Sequence, residues 1–241
     1  MMNYKRNKHV PILVYHRVVH IKPSASQHGI WVEAKNFRRQ MRLLHLMGFK
    51  TISLDMLASI DKFPKKPIII TFDDGYLDNY LYAFPILKKY GFTATIFLVK
   101  GQIGGVNQWD ILPGEEAIRL LSINEIQEMS EYGISFGGHT ITHPHLLQLS
   151  RDKAFEEIVQ CKKDLEGIIQ QEVTTFCYPY GEFDQMIKQM VRDAGFKCAC
   201  ACDTKADDLY KLRRIQVFPK TNLFGFWRKT QWWYDKYIRL F

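Results

Sequence analysis

The chain has 241 residues, 46% of them hydrophobic and 24% charged, with a formal net charge of +8. That composition excludes a disordered or low-complexity protein, and the length suits a single domain with a sizeable core, since α/β barrels commonly reach it undivided. The basic residues form no run longer than pairs such as Arg38-Arg39, Lys65-Lys66, Lys88-Lys89 and Arg213-Arg214, so the charge reads as solvated surface and no nucleic-acid partner is expected.

The N-terminal stretch begins basic, but only residues 10–15 run apolar before His16 and Arg17 interrupt them, which is short for a signal-peptide core. No segment reaches the roughly 18 uninterrupted apolar residues of a membrane span, and a cytoplasmic protein is expected. Five cysteines, an odd number, fit reduced thiols better than a disulfide framework.

Residues 12–15 read as the first strand. A helix over 34–47 places Phe37, Met41 and Leu44 on one face and stops at Gly48, and a short strand follows at 50–53. Residues 67–72, with isoleucines at 68, 69 and 70, have the continuous apolar character of a strand covered on both faces. A helix over 77–90 stops at Gly91 and leads into a strand at 93–99. After a polar loop containing Gly104-Gly105 and Trp109, Ser122 and Glu125 have capping-box spacing at the start of a helix.

A short strand at 134–136 runs into Gly137-Gly138-His139. The helix over 150–170 is marked by Phe155, Ile158, Cys161, Leu165 and Ile168. Strands at 173–178, 197–201 and 214–218 and a helix at 184–194, closed by Gly195, complete the series. Alternating strands and helices imply a largely parallel sheet, in one domain spanning 1–241 with an aromatic and basic segment at 222–241. Cys198, Cys200 and Cys202 share one strand face and read as buried thiols, because no second cluster completes a soft metal site.

In parallel α/β architectures, polar residues just beyond the strands' carboxyl ends carry the chemistry. Three places qualify. Asp73-Asp74 leaves the isoleucine strand, with Gly75 allowing a sharp turn; the adjacent carboxylates point in different directions, so one suits a cation and the other a reacting centre. The alternative is a helix cap. His139 and His143, four apart, can face one ion if that turn is helical, the alternative being surface or capping histidines. Phe176 to Gly181 breaks from an apolar strand into a Pro-Tyr-Gly turn, whose amides suit an oxyanion and whose rings suit the wall of a sugar pocket. One carboxylate and two imidazoles make a three-ligand set with open positions, the arrangement of a hydrolytic metal site.

TFDDGY at 71–76, HTITHPHL at 139–146 and YPYG at 178–181, in this order, resemble the first three signature motifs of the polysaccharide deacetylases of carbohydrate esterase family 4, the NodB-homology group. The likeness runs from about Tyr15 to Val217. The early Val-Tyr-His-Arg-Val and the Tyr-Pro-Tyr-Gly motif are most similar to the branch containing poly-N-acetylglucosamine deacetylases. The resemblance implies a distorted (β/α)7 barrel holding one divalent ion, usually zinc, with cobalt or nickel as alternatives. It implies Asp74, His139 and His143 as ligands, Asp73 as the general base that takes a proton from the attacking water, and the backbone amide of Tyr180 as an oxyanion donor.

Two positions depart from the family pattern. Cys177 stands where members often carry the arginine that orients the base, and Arg213 or Arg214 is left to replace it. No histidine follows His145, although the family commonly draws its general acid from a late one. His16, at the end of the first strand, is the candidate acid, with a structural role there as the alternative. Tyr76, Tyr178, Pro179 and Arg214 are expected to bind substrate. The expected partner is an N-acetylated sugar or glycan, and a cytoplasmic enzyme would meet a nucleotide-linked, lipid-linked or growing precursor. The segment 222–241 suits either peripheral contact with the inner face of a membrane or closure of the barrel core. A catalytically weak sugar-binding protein that keeps the metal site is the rival reading, against which the intact Asp73 argues.

Overall fold

The computed structural model describes residues 10–23, 29–59, 62–111, 117–202, 208–231 and 233–234. Ten strands are present among them: β1 (Ile12–Tyr15), β2 (Arg17–Val19), β3 (Trp31–Glu33), β4 (Lys50–Thr51), β5 (Pro67–Phe72), β6 (Thr95–Leu98), β7 (Ser135–Gly138), β8 (Thr175–Cys177), β9 (Cys198–Cys202) and β10 (Leu212–Gln216). The helices are α1 (Ala34–Leu46), α2 (Met56–Ser59), α3 (Phe84–Tyr90), α4 (Ile123–Tyr132), α5 (Arg151–Ile169), α6 (Gln185–Asp193) and α7 (Leu223–Lys229).

Seven strands form a closed parallel barrel in the order β1, β10, β9, β8, β7, β6, β5, sealed where β1 pairs with β5 from Ile12 opposite Ile69 to Tyr15 opposite Phe72. The short β4 adds to the start of β5, which distorts the ring. The small parallel pair β2 and β3 lies outside it; three residues each give too little periodicity to be read from sequence.

Side-chain alternation along the strands divides the core in two. Ile12, Ile69, Phe97, Cys177, Cys198, Cys200 and Leu212 fill the barrel interior. Leu13, Tyr15, Ile68, Ile70 and Phe72 pack outward against helical residues such as Phe37, Met41 and Leu44, which explains the unbroken apolar run of β5. Burial pushes the Cys198 thiol well above its ordinary pKa, as suits a packed rather than ligating sulfur. Gln40 is buried on the apolar face of α1 because its side-chain carbonyl accepts from the Tyr15 hydroxyl at 2.9 Å.

The helix expected over 77–90 is split into a π turn at Asn79–Ala83 followed by α3. Pro85 lacks the N–H that would continue an unbroken α ladder. Ser122 and Glu125 form the expected capping box of α4. Among the described residues no helix is long and apolar enough to cross a membrane. Residues 1–9 and 235–241, parts of the terminal segments read above, lie outside the described residues.

Candidate metal and hydrolytic site

Parity along β5 sends Ile69, Thr71 and Asp73 into the barrel, and Asp73 emerges at its carboxyl end. The chain then turns through Asp74 and Gly75, with φ of 71° and 72°. A Cβ on Gly75 would lie 2.7 Å from the Leu98 side chain, so both the space and the left-handed backbone favour glycine there. The turn aims Asp74 at the same opening as Asp73.

His139 follows β7 directly, with its amide bonded to Leu98 O. The turn from His139 to His143 is not helical: Thr140 and His143 are left-handed, with φ of 66° and 63°, and the Thr140 hydroxyl accepts from His143 N at 3.0 Å. The two imidazoles therefore meet through a tight loop rather than the helical spacing considered from the sequence. Their Nε2 atoms lie 3.2 Å apart, and 3.4 and 3.5 Å from Asp74 Oδ1.

His139 Nδ1 is 2.7 Å from Cys177 O. Since a carbonyl only accepts, Nδ1 carries a proton, and Nε2 faces Asp74 and His143. Burial, with His139 nearby, lowers the His143 pKa to about 3, against the pull of Asp74 and Asp73, so this ring is neutral. Burial pushes Asp74 up, but the hydrogen bond with His139 and the adjacent imidazoles outweigh it and hold the carboxylate ionised. A carboxylate and two imidazole nitrogens thus converge in one buried place. This donor set fits one divalent cation, and the Nδ1 bond to a backbone carbonyl is the support that such ligands require.

Asp73 is held differently. Arg214 donates Nη1 to Oδ1 at 2.6 Å and Nη2 to Oδ2 at 2.7 Å, and Nη2 also lies 3.1 Å from Cys177 Sγ. Burial pushes the Asp73 carboxyl up, while the charge and hydrogen bonds of Arg214, with His16 near, bring it below its ordinary value. Strand parity separates the two arginines left open by the sequence: Leu212 points into the barrel, and Arg214, two residues on, follows it.

His16 Nε2 stands 3.7 Å from Asp73 Oδ2. Its peptide is pinned by the π turn, where Asn79 Nδ2 donates to His16 O at 2.8 Å. Beside it, Asp78 accepts from Val18 N at 3.0 Å and pairs with Arg17 at 2.8 Å.

These groups open into one cleft of about 280 Å³ lined by His16, Asp73, Asp74, His139, His143, Tyr178, Tyr180 and Arg214. Tyr76 and Pro179, expected to touch substrate, do not line it. Tyr76 is buried beneath, its backbone paired with Leu120 and its ring under the Arg17 guanidinium, and Pro179 is buried within the turn. Tyr178 reaches the cleft wall, but its hydroxyl is committed to Tyr210 O at 2.8 Å. Tyr180 takes a left-handed φ of 58° that swings its ring outward onto His145, stacked at 3.9 Å, while His145 pairs with Glu182 at 2.9 Å.

Sequence reasoning passed over Trp109 as a site residue, although it stacks on His143 at 4.7 Å and lines the cleft with Asp110. It arrives on a loop with no periodic signal, and only the isolated tryptophan in a polar stretch marked it.

A carboxylate and two imidazoles gathered at the strand ends of a parallel barrel, beside a second, arginine-held carboxylate, make a group that could hold a metal ion. The sequence profile of the polysaccharide deacetylase family matches residues 60–199, more than half the chain, and the chain belongs to that family. It is 31% identical over 218 residues to YxkH of Bacillus subtilis, covering 87% of this chain and 72% of that protein. It is 30% identical over 202 residues to the poly-beta-1,6-N-acetyl-D-glucosamine N-deacetylase of Staphylococcus epidermidis, covering 77% and 68%. Among solved structures, the Streptococcus pyogenes deacetylase PplD superposes with a TM-score of 0.79 at 27% identity, covering 92% of this chain and 98% of that one. IcaB from Ammonifex degensii gives 0.77 at 25%, covering 93% and 98%.

Proposed function

We propose that this chain is a metal-dependent N-deacetylase of an N-acetylhexosamine glycan. The observation that carries the reading is the pairing of two environments in one cleft: a three-donor set at Asp74, His139 and His143, and an ionised Asp73 clamped by Arg214 beside it. Asp74, His139 and His143 hold one divalent ion, zinc in the first instance, with cobalt or nickel as substitutes. When bound, that ion supplies positive charge to the acetamide oxygen and to the attacking water.

Asp73 takes the proton of the water, and Arg214 keeps both its oxygens oriented and its carboxyl ionised. The Tyr180 amide donates to the oxyanion that forms at the acetyl carbon. His16, beside Asp73, returns a proton to the leaving amine. Tyr178, Tyr180 and Arg214 shape the acceptor site, with the exposed Tyr180 ring on the side where a sugar enters.

The relatives named for poly-N-acetylglucosamine deacetylation support a β-linked N-acetylglucosamine chain as the substrate, either as polymer or as a lipid- or nucleotide-linked precursor. We further propose a peripheral membrane contact through 222–241, supported by the exposed Leu223 and Phe224 of α7 and the Phe224–Trp227 stack. Liposome flotation of the full chain tests it, and failure to float removes it.

The test of the activity is acetate release from N-acetylglucosamine oligomers and from lipid- and nucleotide-linked sugars, comparing wild type with Asp73→Asn under equal zinc loading. Loss of about 10²–10⁴ in rate in the variant is expected for a general base. No release from any acceptor by a zinc-loaded wild type would replace the enzyme with a sugar-binding protein.

A further inference from the structure

The five-residue loop that brings the two imidazoles together has no secondary structure of its own to hold it. Two of its residues, Thr140 and His143, sit in the left-handed region, which side-chain-bearing residues adopt only when their surroundings enforce it. Part of the enforcement comes from the turn after β6, where Lys100 N donates to Thr140 O at 3.0 Å and Gly101 N to Ile141 O at 2.8 Å. The approach is close enough that a Cβ on Gly101 would lie 2.7 Å from Ile141 O.

The rest comes from α5. Glu157 Oε2 accepts from Ile141 N at 2.7 Å and from Thr142 N at 3.0 Å, and its Oε1 accepts from the Thr142 hydroxyl at 2.8 Å. All three donors belong to the two residues nearest His143 on its N-terminal side. Lys100, whose amide grips the loop from the turn after β6, also pairs through its ammonium with Asp164 of α5, so both clamps are tied to the same helix.

We propose that Glu157 is a positioning residue of the metal centre, fixing the 141–142 peptides so that the His139 and His143 imidazoles are set toward one ion before it binds. The proposal rests on reading Asp74, His139 and His143 as the ligands. A carboxylate suits the task because one oxygen can accept from two amides at once while the other takes the hydroxyl, and its charge strengthens each bond. Glutamine offers a single acceptor oxygen and turns an N–H group toward donors. Glu157 touches neither the ligand rings nor the cleft, and it acts through the backbone of the loop. Because Thr142 is exposed and Glu157 is half-buried, water replaces the lost bonds in a variant, and the fold as a whole does not depend on them.

The experiment is zinc affinity by chelator competition on the full chain for wild type, Glu157→Gln, Glu157→Ala and His143→Ala, together with the thermal midpoints of the metal-free proteins. Both Glu157 variants are expected to bind zinc about 10–100-fold more weakly, the usual loss when a group supporting a ligand is removed, with metal-free midpoints close to wild type. His143→Ala is expected to lose the site. Unchanged zinc affinity in both Glu157 variants, or a weakening matched by an equal fall in metal-free stability, would overturn the positioning role. Wild-type-like zinc binding by His143→Ala would overturn the ligand assignment instead.

Discussion

Replacing Arg214 by methionine removes one half of a buried, doubly hydrogen-bonded ion pair and keeps most of the side-chain volume. Arg214 and Asp73 are 4% and 3% exposed, so the carboxylate left behind meets little water and lacks its main countercharge. Breaking a buried pair on one side costs about 3–5 kcal/mol. At roughly 2–4 °C per kcal/mol for a chain of this size, the thermal midpoint falls by about 6–20 °C. In the wild type the folded Asp73 carboxyl lies below its ordinary value. Its stabilisation is therefore complete above the unfolded carboxyl pKa of about 3.9 and is lost as pH falls through the lower folded value.

Without Arg214 the burial contribution dominates and the carboxyl rises, so Asp73 becomes protonated at higher pH. The acid limb of kcat/KM then moves upward relative to wild type at the same zinc loading. Thermal melts and a pH–rate profile measure both effects. Adding Asp73→Asn to Arg214→Met should restore part of the lost midpoint, because the uncompensated charge is gone. A single variant as stable as wild type, with an unmoved acid limb, would mean that Arg214 does not hold the Asp73 carboxyl.

Asn79→Ala removes the donor to His16 O and leaves that carbonyl unpaired, a loss of about 1–3 kcal/mol. Because the His16 peptide loses its anchor, kcat should fall more than KM rises, and steady-state kinetics separate the two. Gly75→Ala places a Cβ against Leu98 in a left-handed backbone, and a midpoint clearly below wild type is expected in a thermal melt. Stripping the ion with a chelator should abolish acetate release, and adding zinc back should restore it.

Most of the barrel was legible because its strands are short apolar runs closed by turns and its helices carry stops and caps: the triple isoleucine of β5, the Ser122–Glu125 box and Gly91 each have a local physical cause. β2 and β3 were not legible, since three residues carry no period. The π turn before α3 hides inside a helical pattern that only Pro85 interrupts. The four residues Asp73, Asp74, His139 and His143 stood out through their place after apolar strands and through the family motifs, but the left-handed loop that joins the imidazoles did not, because an i, i+4 histidine pair suggests a helix.

Choosing Arg214 over Arg213 needed the strand register, which residue types alone do not fix. Tyr76 looked like a site residue by adjacency to Asp74, yet the turn at Gly75 drives it under the cleft. Trp109 and Glu157 come from a loop and a distant helix, and only the closed barrel brings them to the histidines.

In the proposed function the cleft hydrolyses an acetamide with an ion held by Asp74, His139 and His143. Mass spectrometry of an N-acetylglucosamine oligomer incubated with the zinc-loaded chain in oxygen-labelled water tests this directly, with His143→Ala alongside. A free-amine oligomer is expected, with heavy oxygen in the released acetate, none in the sugar beyond the exchangeable C1 oxygen of its reducing end, and no product from the variant. Product formed equally by the variant, or label in the sugar anywhere but the exchangeable C1 oxygen of its reducing end, would contradict that function.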